Sequence, residues 1–519
     1  MKDAGGTCCC SGESRESVAA WVKDQIKQDE IDRYMDNGHD FIDDDYINRT
    51  LDENRQTEKA RIRGILDKAH EIRLMNDKDV ATLCNITDPE LRSEVFKAAE
   101  EIKKQVYDNR IVMFAPLYLS SKCVNGCRYC GFRADNAAQE RSVLTQQEVE
   151  AETHVLASKI GHKRLVIVFG EHPESAADYI VDCMKTIYAV HDKVRSGVGE
   201  IRRVNVNAAP MSIADLTKLQ KGGIGTFQVF QETYDHKIYR EMHPVQTLKG
   251  NYDWRLYALH RSMDAGIDDV AVGCLFGLSN WKFDVMGMVA HARDLEKRFG
   301  LGPHTLSVPR LEPAVGTDFS FIKNWVSDED FKYLVAVLRV AIPYSGLIVT
   351  NREKPETIRS LIDIITQRDA DSRIGLRAYV NAFKAGLNTI KDRQALEKEQ
   401  FALSDNRSMD EIVREAASSG HIVSFCTAGY RCGRTGKKIM GLLKSGAEGC
   451  FCKLNAVLTF QEWLDDFATP ETRKIGMDLI AKEMAEIQAR SPKDYSTQVY
   501  AKFTQDYQNI LSGQRDLYF

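Results

Sequence analysis

The chain has 519 residues, 43% of them hydrophobic and 28% charged, the makeup of an ordinary globular protein with material for one large domain and additions. A formal net charge of -5 and a pI near 6.2 exclude a global electrostatic pull toward nucleic acid or an anionic membrane. No apolar run approaches the ~18 residues of a membrane span, and the opening MKDAGGTCCCSGES lacks an apolar signal core, so a cytoplasmic location is expected.

The first stretch, 1–14, reads as a flexible tail containing Cys8, Cys9 and Cys10. Residues 15–108 carry helical periodicity on charged faces, as in EKARIRGILDKAHEIRL, and form an N-terminal helical region. From Arg110 short β-rich runs alternate with amphipathic stretches: IVMFAPLYL, RLVIVFG, RRVNVNAA, GTFQVFQ, DDVAVGCLFGL, HTLSVPRL, GLIVT and LIDIIT. Eight βα units over 109–375 predict an α/β protein built on a TIM-type (βα)8 barrel. Helical pattern returns over 376–519, which predicts a C-terminal helical domain holding the last cysteine group.

The 13 cysteines are too sparse for a disulfide scaffold, and they gather at 8–10, 123–130 and 426–452, as metal-binding thiols do in a reducing compartment. Cys84, Cys183 and Cys274 stand alone and read as buried thiols. Cys123-Val124-Asn125-Gly126-Cys127-Arg128-Tyr129-Cys130 follows the first predicted strand and so falls at the C-terminal mouth, where barrel enzymes do chemistry. Zinc would want a fourth ligand close by, and none is near. Three thiolates so spaced suit a 4Fe-4S cubane with one iron left for S-adenosylmethionine (SAM), whose reductive cleavage gives a 5′-deoxyadenosyl radical.

Other candidates sit at the ends of later strands. Gly170 and Glu171 are expected beside SAM, as are Tyr129, Asn205 and Asn207, although Tyr129 could serve loop packing and the asparagines core hydrogen bonds. Gln231 and Thr233, in a polar group with Glu232, Tyr234 and His243, are placed at the substrate. Arg310 and Arg352 are either carboxylate clamps or structural ion pairs.

APLYLSSKCVNGCRYCGF, GHKRLVIVFGE, GEIRRVNVN, QETY…MHP, AGIDDVAVGCLFGL, GPHTLSVPRL, PYSGLIVTNRE and GRTG…CKLNAVLTF resemble, in this order, the radical SAM tyrosine lyases, in the branch of the FeFe-hydrogenase maturase HydG and more distantly of ThiH. The resemblance runs from about residue 40 to about 490. It implies cleavage of L-tyrosine to p-cresol and dehydroglycine, and in the HydG branch conversion of dehydroglycine to carbon monoxide and cyanide at an auxiliary iron–sulfur cluster. By position it gives Cys123, Cys127 and Cys130 to the SAM cluster, Gly170 and Glu171 to SAM, and Arg352 and Ser372 to the amino acid. It also implies a one-electron donor such as ferredoxin or flavodoxin and, as partners, other cofactor-maturation proteins. The alternatives are a paralogue acting on another amino acid without forming carbon monoxide or cyanide, and an iron–sulfur scaffold or metal-delivery protein.

Two departures stand out. HydG carries a pattern similar to C-T-A-C-Y-R-T-G-R-T-G with a later cysteine before P-N-A, whereas this chain has Cys426-Thr427-Ala428-Gly429-Tyr430-Arg431-Cys432 and then Cys450-Phe451-Cys452. Cys426, Cys432, Cys450 and Cys452 are thus expected to form a rearranged cluster, a zinc site or no metal site. After the last strand the family's S-A-G-S-R is replaced by Asp369-Ala370-Asp371-Ser372-Arg373, which predicts two carboxylates near the substrate's own.

Overall fold

The computed structural model describes residues 15–56, 58–386, 394–445 and 447–519. The expected tail 1–14, with Cys8 to Cys10, lies outside these residues.

Eight parallel strands form the barrel: β1 (Arg110–Ser120), β2 (Arg164–Phe169), β3 (Arg203–Asn207), β4 (Phe227–Gln228), β5 (Val270–Gly273), β6 (Thr305–Ser307), β7 (Gly346–Val349) and β8 (Gln367–Asp369). Closure comes from β8 pairing with β1, Val112 opposite Gln367 and Phe114 opposite Asp369. Apart from half-buried Pro116, β1 is buried along its whole length, as parallel strands sheathed by helices must be. A short ribbon, His191–Lys193 against Val198–Glu200, lies apart from the barrel sheet.

The eighth predicted run, LIDIIT, is not the eighth strand. Leu361 closes the helix Pro355–Leu361, and the chain turns through Ile364 before β8 begins at Gln367. The strand is the polar triplet Gln-Arg-Asp, held because Arg368 finds Asp405 at 2.9 Å and Asp369 finds Asn351 and Ser372. A ninth strand, β9 (Ile422–Ser424), pairs with the first residues of β1 beneath β2, whose own pairing with β1 starts at Ala115.

Helices are started by side-chain caps. Thr145 and Glu148 make a reciprocal capping box for Gln146–Val155, and Asp88 caps Pro89–Tyr107 with proline in its first turn. Pro89–Tyr107 packs against Asp328–Ala341 outside the barrel. At the other end of the chain, Ala447–Asp466 lies against both β9 and Pro470–Arg490.

Candidate active site

The loop after β1 places Cys123, Cys127 and Cys130 on one cavity at the C-terminal mouth, together with Gly170, Glu171, Asn207, Arg352 and Asp369. The glycine at 170 is required by close approach: a Cβ there would stand 2.1 Å from the Lys122 carbonyl oxygen and 3.3 Å from Cys123 Cβ. Gly170 therefore seats the cysteine loop against the end of β2.

Asn125 ties that loop inward. Its Nδ2 donates to Glu171 Oε2 (2.7 Å) and lies 3.6 Å from Cys123 Sγ, while its Oδ1 accepts from the Lys249 backbone N–H (2.9 Å). Glu171 Oε1 meets Arg255 Nη1 at 2.8 Å, and Arg255 also reaches Glu232, which Lys249 Nζ approaches to 2.6 Å. Two acids and two bases thus balance in a buried network beneath the cysteines. Both Glu171 oxygens are engaged within the chain.

Burial pushes the Cys123 thiol up to about 11 and Cys127 higher than usual. Such thiols keep their protons until iron displaces them. Their placement on one wall, on a loop fixed by Asn125 and Gly170, fits three corners of a cubane.

Tyr129 lines the cavity with its hydroxyl 2.9 Å from His243 Nε2, while His243 Nδ1 donates to the Tyr239 carbonyl at 2.8 Å. Burial holds His243 well below its usual range, so its neutral ring accepts from the tyrosine. Gln400, from the segment after the eighth strand, donates to Cys130 Sγ at 3.5 Å and accepts from Tyr118 OH at 2.8 Å.

The two arginines separate cleanly. Arg310 is bound to Glu353 and to Asp328, lies outside the cavity, and is a structural ion pair. Arg352 lines the cavity, stacks 3.4 Å from the Phe401 ring centroid and makes no ion pair among the described residues.

Four more expected ligands turn elsewhere. Asn205 accepts from the Thr226 N–H (2.9 Å) in the barrel core, and Gln231 is buried outside the cavity lining. Thr233 donates to Asp284 (2.9 Å), and Ser372 donates to Asp369 (2.6 Å) instead of facing a substrate. Of the two expected carboxylates only Asp369 faces the cavity; Asp371 accepts from the Met409 N–H at 3.4 Å. No sequence motif marks Arg255, Lys249, Asn125, Gln400 or Phe401, because their roles depend on which loops fold over the mouth.

Residues 117–284 match the radical SAM superfamily model, and 307–422 match the biotin and thiamin synthesis associated domain. A crystal structure of HydG, a maturase of the [FeFe]-hydrogenase, is 43% identical over 93% of this chain and 100% of that one, with a TM-score of 0.85. HydG of Carboxydothermus hydrogenoformans is 31% identical over 93% and 99%, with a TM-score of 0.71. The chain belongs to the HydG family. The 2-iminoacetate synthase of Salmonella typhimurium is 27% identical over 57% of this chain and 74% of its own. Membership brings a 4Fe-4S cluster and SAM to the chain.

Two of the cysteines near the C-terminus border a second cavity at the opposite, N-terminal end of the barrel, lined by Arg110, His304, Cys426, Gly429, Arg434, Glu448, Cys452 and Asn455 among others. The expected set of four thiols does not assemble there. Cys450 and Cys452 lie two residues apart on the helix Ala447–Asp466, a spacing that points side chains to different faces. Cys452 donates to Glu448 (3.4 Å), whereas Cys450 accepts from Arg490 (3.4 Å) away from the cavity. Cys432 is likewise absent from the lining. Among the described residues no three of His, Cys, Asp and Glu converge on one point, as a single zinc ion would need.

Proposed function

We propose that this chain is a radical SAM carbon–carbon lyase that fragments L-tyrosine into p-cresol and dehydroglycine, the compound also called 2-iminoacetate. The observation that carries the reading is Arg352, a guanidinium with no ion-pair partner among the described residues, in the same cavity as the three cysteines. Cys123, Cys127 and Cys130 would hold the cluster, which when bound supplies the electron that cleaves SAM to a 5′-deoxyadenosyl radical. Tyr129, held by His243, offers a fixed ring for adenine, and Asn207 and Gly170 offer polar and backbone contacts around it.

Arg352 clamps the amino acid's carboxylate, and Phe401 beneath it fixes the plane of the guanidinium. Phe114, Val166, Val168, Ile348 and Leu403 wall the cavity and keep water from a reactive intermediate. Burial lifts Asp369 to about 6 and Glu312 to about 7. Near neutrality Glu312 is therefore partly protonated and repels the incoming carboxylate less than two full charges would.

The reductant is a one-electron donor of the ferredoxin or flavodoxin kind. No described helix is long and apolar enough to cross a membrane. The test is anaerobic reconstitution followed by dithionite, SAM and tyrosine, with 5′-deoxyadenosine and p-cresol measured by mass spectrometry. Both products are expected; deoxyadenosine without p-cresol would overturn tyrosine as the substrate. Arg352→Leu is expected to raise KM for tyrosine by about 10- to 100-fold, the worth of a charged hydrogen bond.

A further inference from the structure

We infer that the C-terminal cavity of this chain holds no second cubane, because it presents two thiols where the HydG pattern has three, and that dehydroglycine therefore leaves the enzyme intact. The missing ligand has an address. Gly429 lines the cavity between Cys426 and Arg434, and a Cβ built there would meet nothing nearer than the Arg434 carbonyl oxygen at 3.7 Å. The position is open and its backbone does not demand glycine. Gly429 borders the same cavity as Cys426 and Cys452, but glycine brings no sulfur.

The additional cysteines do not compensate. Cys450 is turned to Arg490 by the helix on which Cys452 faces inward, and Cys432 stands outside the lining. The two thiols that do face the cavity already have partners in the chain: Arg110 Nη1 lies 3.4 Å from Cys426 Sγ, and Cys452 donates to Glu448 at 3.4 Å. Glu448 is in turn held by Arg434 at 3.4 Å. The group thus brings together two thiols, two guanidiniums and one carboxylate.

For the fate of the product the inference rests on the proposed tyrosine lysis; for the metal content it does not. A released dehydroglycine meets water, which adds to the carbon of the C=N bond. The nitrogen departs as ammonia and the carbon becomes the aldehyde of glyoxylate, with no change in electron count. A reaction that consumes an imine or an aldehyde acid must follow.

The experiment is an iron and sulfide count on the whole chain after anaerobic reconstitution. The unaltered protein is expected to hold about four irons, the content of one 4Fe-4S cluster, all lost in the Cys123→Ala/Cys127→Ala/Cys130→Ala chain. Gly429→Cys is expected to raise the count toward about eight, and adding Cys452→Ala should return it to about four. An unaltered chain with about eight irons that loses half of them in Cys426→Ala/Cys452→Ala overturns the inference. So does a Gly429→Cys chain whose count does not rise. In turnover, p-cresol matched by equal glyoxylate and ammonia, without carbon monoxide, is expected, and carbon monoxide in proportion to p-cresol overturns the claim of release. Absence of p-cresol altogether would strike the tyrosine reading, while the iron count would still decide this one.

Discussion

Arg255 carries more of the site than any side chain the sequence motifs point to. Its guanidinium is buried between Glu171 and Glu232 and donates to the Phe230 carbonyl, so it joins the end of β2 to the loop after β4 beneath the cysteines. Removing it leaves two buried carboxylates with Lys249 as their one remaining cation in the network. Arg255→Met should therefore destabilise the cluster-free protein by about 3–5 kcal/mol, read from urea unfolding. Arg310 and Arg352 show why single residues were the least legible part of the sequence. Both follow strands, and Glu353 adjoins Arg352 in sequence, yet it is Arg310 that Glu353 holds. Asp369 was legible as a carboxylate near the site and illegible as a weak acid. Burial raises it to about 6, above the ~3.9 of an unfolded aspartate, so the folded chain binds the extra proton between those values. Stability from this group is then full below about pH 4 and falls as pH rises to about 6. Asp369→Asn keeps an acceptor for the Asn351 N–H and should remove that slope, seen as a smaller difference between variant and parent unfolding midpoints at the acid end than at pH 7.

Elements were read well where burial wrote them in apolar residues and poorly where polar ladders took over. The runs at β1, β2 and β7 are apolar and stand out; β8 is Gln-Arg-Asp, and the apolar signal lies in the preceding turn at Ile364 and Ile365. The C-x-C pair is hard to read for a related reason, since the direction of its two thiols depends on whether the backbone under it is extended or helical, and here it is helical. Two glycines make the point testable. Gly161 leads into β2 at φ +91, and a Cβ would press to 2.5 Å from Phe467 and 2.8 Å from Trp463 Nε1, so Gly161→Ala should cost about 1–3 kcal/mol. Gly64 lies within the helix Lys59–Ala69 with nothing within 4 Å of a built Cβ, so Gly64→Ala should stabilise by about 0.5–1 kcal/mol. Thermal or urea unfolding of the pair would show opposite signs; equal signs would refute the packing account.

At the scale of the whole molecule, one barrel carries a cysteine-lined cavity at each end. The cysteine loop follows the last residue of β1, while Arg110, its first, borders Cys426, so the two sites are separated by the length of an 11-residue strand, roughly 35 Å at ~3.3 Å per residue. The C-terminal part of the chain serves both ends. Residues of the expected C-terminal helical domain return to the mouth, where Gln400, Phe401 and Leu403 line the cavity of Cys123, Cys127 and Cys130. No periodicity could announce this, because the segment is irregular and its task is contact with a loop more than 250 residues earlier, as Gln400 makes with Cys130 (270 positions apart). The contact has an electronic consequence. An N–H aimed at a ligating sulfur favours the more negative, reduced state of a cluster and so raises its potential. Gln400→Leu removes that donor while leaving all three cysteines in place. It should retain the parent's iron content and lower the midpoint of the SAM cluster by tens of millivolts, about what a ~1 kcal/mol hydrogen bond represents in a one-electron couple. An EPR-monitored redox titration reads the shift directly. An unchanged midpoint with unchanged iron would mean that Gln400 covers the cluster without tuning it, and that the segment's work at the mouth is the exclusion of water alone.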